Sequence, residues 1–118
     1  MSETVSPFRQ RVYEALRRVP RGRVTTYKLL GEAIGCASSQ AIGQALRHNP
    51  YAPEVPCHRV IRTDLTLGGF SGKTEGKAIR RKLDLLREEG VEFVSGRLKD
   101  PSKIYPFSIH KFSLENPD

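Results

Sequence analysis

The chain has 118 residues, which suits one domain with one modest core. Its 37% hydrophobic and 28% charged residues exclude a disordered polymer, and no apolar run approaches the roughly 20 residues that span a bilayer. Twenty Lys and Arg stand against 13 Asp and Glu, and the resulting net charge of +7 favours a polyanionic partner.

The first residues, Met1-Ser2-Glu3-Thr4-Val5-Ser6, lack the charged and apolar regions of a secretory signal. A soluble intracellular protein is expected, in cytoplasm or nucleus. Cys36 and Cys57 are too few for a disulfide scaffold. Together with His48, His58 and His110 they show no paired zinc-ligand spacing, so no metal is expected.

In chain order, Ser6 is a good N-cap and Pro7 suits the first helical position. Phe8, Val12, Ala15, Leu16 and Val19 then recur at helical spacing until Pro20 and Gly22. Arg9, Arg11, Arg17 and Arg18 fall on other faces and read as a solvated surface or a DNA contact. Val24-Thr25-Thr26 leads into a second helix capped by Thr25 or Thr26. Leu29, Leu30, Ala33 and Ile34 are its apolar side and Gly35 its stop. Ser38 or Ser39 caps a third helix bearing Ala41, Ile42, Ala45 and Leu46, which Asn49-Pro50 ends. Two short helices joined by a tight turn are compatible with a helix-turn-helix, and equally with an ordinary helical hairpin.

Pro50, Pro53 and Pro56 make the stretch from Asn49 to Val60 extended or turning rather than helical. Val60-Ile61 reads as a short strand before a turn at Thr63-Asp64. Gly68 to Gly72 reads as a loop whose glycines permit close approach to a ligand or merely a surface turn. Thr74 is expected to cap a basic helix running to about Glu89, with Ile79, Leu83 and Leu86 buried. A short strand is expected at Val91-Glu92-Phe93. Ile104, Tyr105 and Phe107 are expected to dock on the core.

A Cys between Pro and His raises the question of thiolate chemistry. A free thiol is mostly protonated at neutral pH and needs a base or a positive field. His58 is adjacent, but neighbours in an extended chain point to opposite sides, so a relay through one water is required. A carboxylate must then fix the other ring nitrogen, and Glu89 is the candidate. Chemistry alone favours a buried structural Cys beside a satisfied core His.

Pro56-Cys57-His58-Arg59-Val60 resembles the active-site motif of the O6-alkylguanine-DNA alkyltransferases, the methylated-DNA–protein-cysteine methyltransferases. Phe8 to Val19, Gly22-Arg23-Val24-Thr25-Thr26-Tyr27, Ile42 to Arg47, Asn49-Pro50, Phe70-Ser71-Gly72 and Leu85 to Gly90 follow that family's order. The resemblance implies a mostly α fold with short β elements, a winged helix-turn-helix-like catalytic domain. Its core would run from about 7 to 93, with a C-terminal extension from 94 to 118.

It further implies a single-turnover repair protein that acts as a monomer on double-stranded DNA carrying O6-alkylguanine. The damaged nucleotide is flipped out and the alkyl group passes to Cys57, with no cofactor. By the same resemblance, His58 is the water-linked base, Glu89 orients it, and Asn49 braces the turn before the active-site strand. Tyr27 contacts the flipped base. Val60, Ser71 and Gly72 line the substrate. The third helix enters the minor groove, and the DNA contacts fall on Tyr27, Lys28, Gln40, Ala41, Gly43, Gln44, Arg47 and Thr63.

This chain departs from the family at Gln40, where an arginine commonly fills the gap left by the flipped base. A minimal catalytic domain without the family's frequent N-terminal domain is expected, and Phe70 stands where the family frequently has Tyr. The connection from Gly72 to the basic helix looks longer, with Lys73 and Lys77 near DNA backbone. Relatives that bind alkylguanine without removing it carry another residue at the Cys57 position.

Overall fold

In the computed structural model, which describes residues 6–52, 54–68 and 76–107, each of the first three helices begins at a side-chain cap. Ser6 accepts from the Arg9 amide to start α1 (Pro7–Leu16). Thr26 accepts from the Leu29 amide to start α2 (Tyr27–Ala33), and Ser38 accepts from Ala41 to start α3 (Ser39–Arg47). Each cap satisfies an amide that the helix itself leaves unpaired. α1 closes at Leu16, a turn earlier than its apolar spacing suggests. Val19 is still fully buried, carried into the core by the following turn.

The chain folds back against the last turn of α2 tightly enough to require glycine there. A Cβ on Gly31 would lie 2.4 Å from the Cys36 carbonyl oxygen, far inside contact distance. α1, α2 and α3 pack on one another around Val12, Leu16, Leu30, Ile42 and Ala45. The buried Tyr13 hydroxyl donates to the Ala45 carbonyl at 2.7 Å, tying α1 to α3.

Two short strands organise the rest, one expected at Val60-Ile61 and one that the sequence reading lacked. β1 (Thr25–Thr26) pairs in parallel with β2 (Val60–Ile61), Thr25 opposite Val60 and Thr26 opposite Ile61. Alternation along β2 sends Val60 into the core shared with α1–α3. Ile61 enters a second cluster with Val24, Leu86, Val91 and Leu98. That second cluster packs against α4 (Lys77–Glu88). The helix starts after Gly76; Thr74, the expected cap, lies outside the described residues. On α4, Leu86 is buried as expected, whereas Ile79 and Leu83 are only half-buried and Lys82 is fully buried.

The strand expected at residues 91–93 falls later, as β3 (Phe93–Val94). It pairs antiparallel with β4 (Arg97–Leu98). Ser95 and Gly96 both have positive φ, the backbone twist that a two-residue hairpin needs. The chain then returns to the outer edge of β1: Val24 donates to the Lys103 carbonyl and Tyr105 donates to the Val24 carbonyl. Phe107 is buried in the first cluster, so the described residues after 93, as far as 107, belong to the same packing as the helices. Over the described residues the result is a small, mostly helical domain of four α-helices with short strands, as the sequence suggested.

Candidate active site

Three prolines do not keep the stretch before Val60 wholly extended. Cys57–Arg59 forms a single 3-10 turn, with the Arg59 amide donating to the Pro56 carbonyl at 2.9 Å. Pro56 has no amide to donate, but its carbonyl is free to open such a turn. The consequence is that Cys57 and His58 are not alternating strand residues. The turn divides them, leaving Cys57 half-buried and His58 buried.

Asn49 holds this turn from the helix side. Its Nδ2 donates to the Val55 carbonyl at 3.0 Å, and its Oδ1 accepts from the Tyr51 amide at 2.8 Å. The Val55 carbonyl also accepts from the Cys57 amide at 2.8 Å, using its second lone pair. The end of α3 is therefore connected to the Cys57 backbone through one shared carbonyl.

Glu89, just past the end of α4, lies beneath the turn with its side chain 5% exposed. Oε2 accepts from His58 Nε2 at 2.8 Å and from Arg59 Nη2 at 2.9 Å. Oε1 accepts from Arg59 Nε at 3.0 Å and from the Gly22 amide at 3.3 Å. Burial alone would raise its pKa. The hydrogen bonds from Arg59, His58 and Gly22 outweigh burial and hold the carboxyl down at about 2. An ionised carboxylate on Nε2 fixes the proton there and leaves Nδ1 of His58 as an acceptor. Burial, only partly opposed by Glu89, lowers the His58 pKa below its usual 6.5, so the ring is neutral at pH 7. Among the described residues, the His58 ring has no direct hydrogen bond to Cys57, which fits a water between them.

Tyr27, the first residue of α2, is half-buried, and burial raises its pKa, with Arg62 opposing. Its hydroxyl is thus a proton carrier at neutral pH. Like Cys57, Tyr27 packs against the first hydrophobic cluster. Val60 is fully buried on β2. Ser71 and Gly72 lie outside the described residues. On α3, Gln40, Gln44 and Arg47 are exposed along one face, while Ala41 and Gly43 are half-buried beside it. A Cβ on Gly43 would meet nothing within 4 Å, so that part of the helix surface is open. Lys28 and Thr63 are also exposed.

Two residues escaped the sequence reading. Arg59 stood inside the motif without a role. Its guanidinium binds Glu89 through two nitrogens and donates through Nη1 to the Val19 carbonyl at 2.9 Å. Lys82 is the other; a charge at an apolar position, between Ile79 and Leu86, was the available signal.

Replacing Glu89 strands Arg59 and removes the anchor of His58. Glu89→Gln should cost on the order of 3 kcal/mol at neutral pH, measured by urea unfolding. The wild-type advantage should fade in acid. Below 6.5 the unfolded chain protonates its histidine before the folded one does. From about 4.5 down to about 2, protonation removes what the depressed Glu89 pKa contributes. An unchanged midpoint at pH 7 would contradict this role for Glu89.

A family model described as 6-O-methylguanine DNA methyltransferase, DNA binding domain, matches residues 7–91. A DNA base-flipping protein of Thermus thermophilus is 50% identical over 87 residues, 74% of this chain and 55% of that protein. A methylated-DNA–protein-cysteine methyltransferase of Saccharolobus islandicus is 40% identical over 86 residues, 73% of this chain and 52% of that one. The chain thus spans about half the length of these curated relatives.

Among solved structures, S. pombe Atl1, in complex with damaged DNA containing O6-carboxymethylguanine, superposes with a TM-score of 0.71 at 30% identity. That match covers 87% of this chain and 98% of Atl1. The O6-methylguanine-DNA methyltransferase of Pyrococcus kodakaraensis gives 0.64 at 43% identity, over 74% of this chain and 48% of its own. By sequence and by fold, the chain belongs to the 6-O-methylguanine DNA methyltransferase family, whose DNA-binding domain it carries.

Proposed function

We propose that this protein repairs double-stranded DNA by taking the alkyl group of O6-alkylguanine onto Cys57, once per molecule. The observation that supports this reading is the 2.8 Å hydrogen bond between Glu89 and His58, whose 3-10 turn also carries Cys57. The sulfur proton passes through one water to Nδ1 of His58, leaving an imidazolium paired with the Glu89 carboxylate. The thiolate then attacks the alkyl carbon. The new S–C bond forms as the C–O6 bond breaks, and its electron pair goes to guanine. Tyr27 gives the guanine anion a proton and recovers one from solvent, while His58 releases its own. No cofactor enters the balance.

In this reading residues 7–93 form the DNA-binding and catalytic core, with 94–118 as its extension. α3 enters the minor groove with Gln40, Gln44 and Arg47 outward, and Ala41 and Gly43 permit close approach. Tyr27, Lys28 and Thr63 complete the DNA contacts. Val60, Ser71 and Gly72 line the flipped base.

Gln40 supports a second reading, in which the lesion is bound and left in place. An amide fills the gap in the base stack less well than the guanidinium common at this position. The 50% identical relative that is named a base-flipping protein favours it too.

Intact-mass measurement after incubation with an O6-methylguanine duplex separates the two. Gain of one methyl group, absent in Cys57→Ala, is expected; tight binding with no mass change would move the assignment to lesion recognition. Gln40→Arg should tighten binding to the damaged duplex on the order of ten-fold, the worth of one stacking contact. Equal affinities of the variant and wild type in a titration would show that Gln40 does not limit base flipping.

A further inference from the structure

For a helix proposed to read DNA, α3 is poor in charge. Ser39–Arg47 holds one cation, Arg47, although the chain as a whole carries a net charge of +7. Affinity for a duplex comes largely from cations that displace counterions from phosphates. Other elements must therefore bring positive charge up to α3.

An aromatic side chain just past the helix does this. Tyr51 is 39% exposed, and Val94 aside, no other large apolar side chain among the described residues is left so open. Its backbone is gripped on both sides. The amide donates to Asn49 Oδ1 at 2.8 Å, and the carbonyl accepts from the Val55 amide at 3.0 Å. The ring meets the buried Tyr13 ring edge to face, with centroids 5.7 Å apart and planes at 84°. Tyr13 in turn donates its hydroxyl to the Ala45 carbonyl of α3 at 2.7 Å. Tyr51 is thus tied to α3 through its backbone and through its ring.

The guanidinium of Arg17, at the C-terminal cap of α1, lies 5.8 Å from the centre of the Tyr51 ring. Arg17 follows Tyr13 by one helical turn, so the two share a flank of α1. It is exposed and has no carboxylate partner among the described residues. A long side chain seated on a rigid ring loses less rotamer freedom when it grips a ligand. Arg18, the next residue, takes the other flank and lines the groove between α1 and the end of α2.

We propose that Arg17, seated on Tyr51, forms a second DNA contact continuous with α3 and takes one backbone phosphate of the duplex. This rests on α3 being the DNA-reading helix, and not on transfer to Cys57. A phosphate contact carries no sequence information, so it needs no lesion. It fixes how the duplex lies against the segment that leads from α3 to Cys57.

The test is the salt dependence of binding to an undamaged duplex, read by fluorescence anisotropy between about 50 and 200 mM salt. Arg17→Ala should lower the slope of log K against log salt by about one, the share of a single phosphate. Arg18→Ala should keep the wild-type slope. Tyr51→Leu removes the seat and should weaken binding on the order of three-fold, the worth of a modest cation–π contact. Tyr51→Phe should restore that loss, and in an Arg17→Ala background Tyr51→Leu should have no further effect.

An Arg17→Ala protein with the wild-type slope overturns the proposal. Arg47→Ala separates this failure from failure of the reading beneath it. A slope lowered by Arg47→Ala and not by Arg17→Ala overturns the second contact alone. The reverse supports that contact and overturns the assignment of the α3 face. Slopes that neither substitution changes overturn both.

Discussion

The buried carboxylate of Glu89 holds the Cys57–Arg59 turn in place. Glu89 receives two hydrogen bonds on each oxygen, from His58, Arg59 and the Gly22 amide, and thereby gathers three distant parts of the chain. Arg59 extends the clamp to the Val19 carbonyl, just beyond α1. A carboxylate this deep is tolerated only because every donor is charged or rigidly held. Its geometry then decides the chemistry. With the His58 proton held on Nε2, Nδ1 is left as an acceptor, which the proposed relay uses as its base.

The short parallel pairing of β1 and β2 gives this clamp a rigid frame. Val60 and Ile61 face two different clusters, so the strand after Cys57 is packed on both sides. Asn49 joins the same frame to α3 through the Val55 carbonyl, which also accepts from the Cys57 amide. The proposed DNA-reading helix and the proposed acceptor are therefore mechanically continuous. Cys57 is itself half-buried and packed against the α1–α3 cluster.

The parts of this molecule that a reader of the sequence can find are the local ones. Ser6, Thr26 and Ser38 cap helices because capping is decided within three residues, and the apolar stripes follow from helical period. Cys57, His58 and Glu89 were legible through the motif and its resemblance, and the His58–Glu89 contact is present. What escaped was non-local. β1 is two threonines whose strand character exists only opposite Val60 and Ile61. Arg59 has meaning only once residues 22 and 89 meet beside it. Lys82 looks like part of a basic surface until the fold turns that face inward. The 3-10 turn was hidden by the assumption that neighbouring prolines keep the chain extended.

The account stands or falls on the state of His58 beside Cys57. Nitrogen-15 NMR of the imidazole in the native protein reports that state directly. The expected spectrum at pH 7 is a neutral ring protonated on Nε2, with Nδ1 bare and a pKa below 6.5. In Glu89→Gln this tautomer preference should weaken. A ring already charged at pH 7, or one carrying its proton on Nδ1, would leave the Cys57 thiol without a base and contradict the proposed relay.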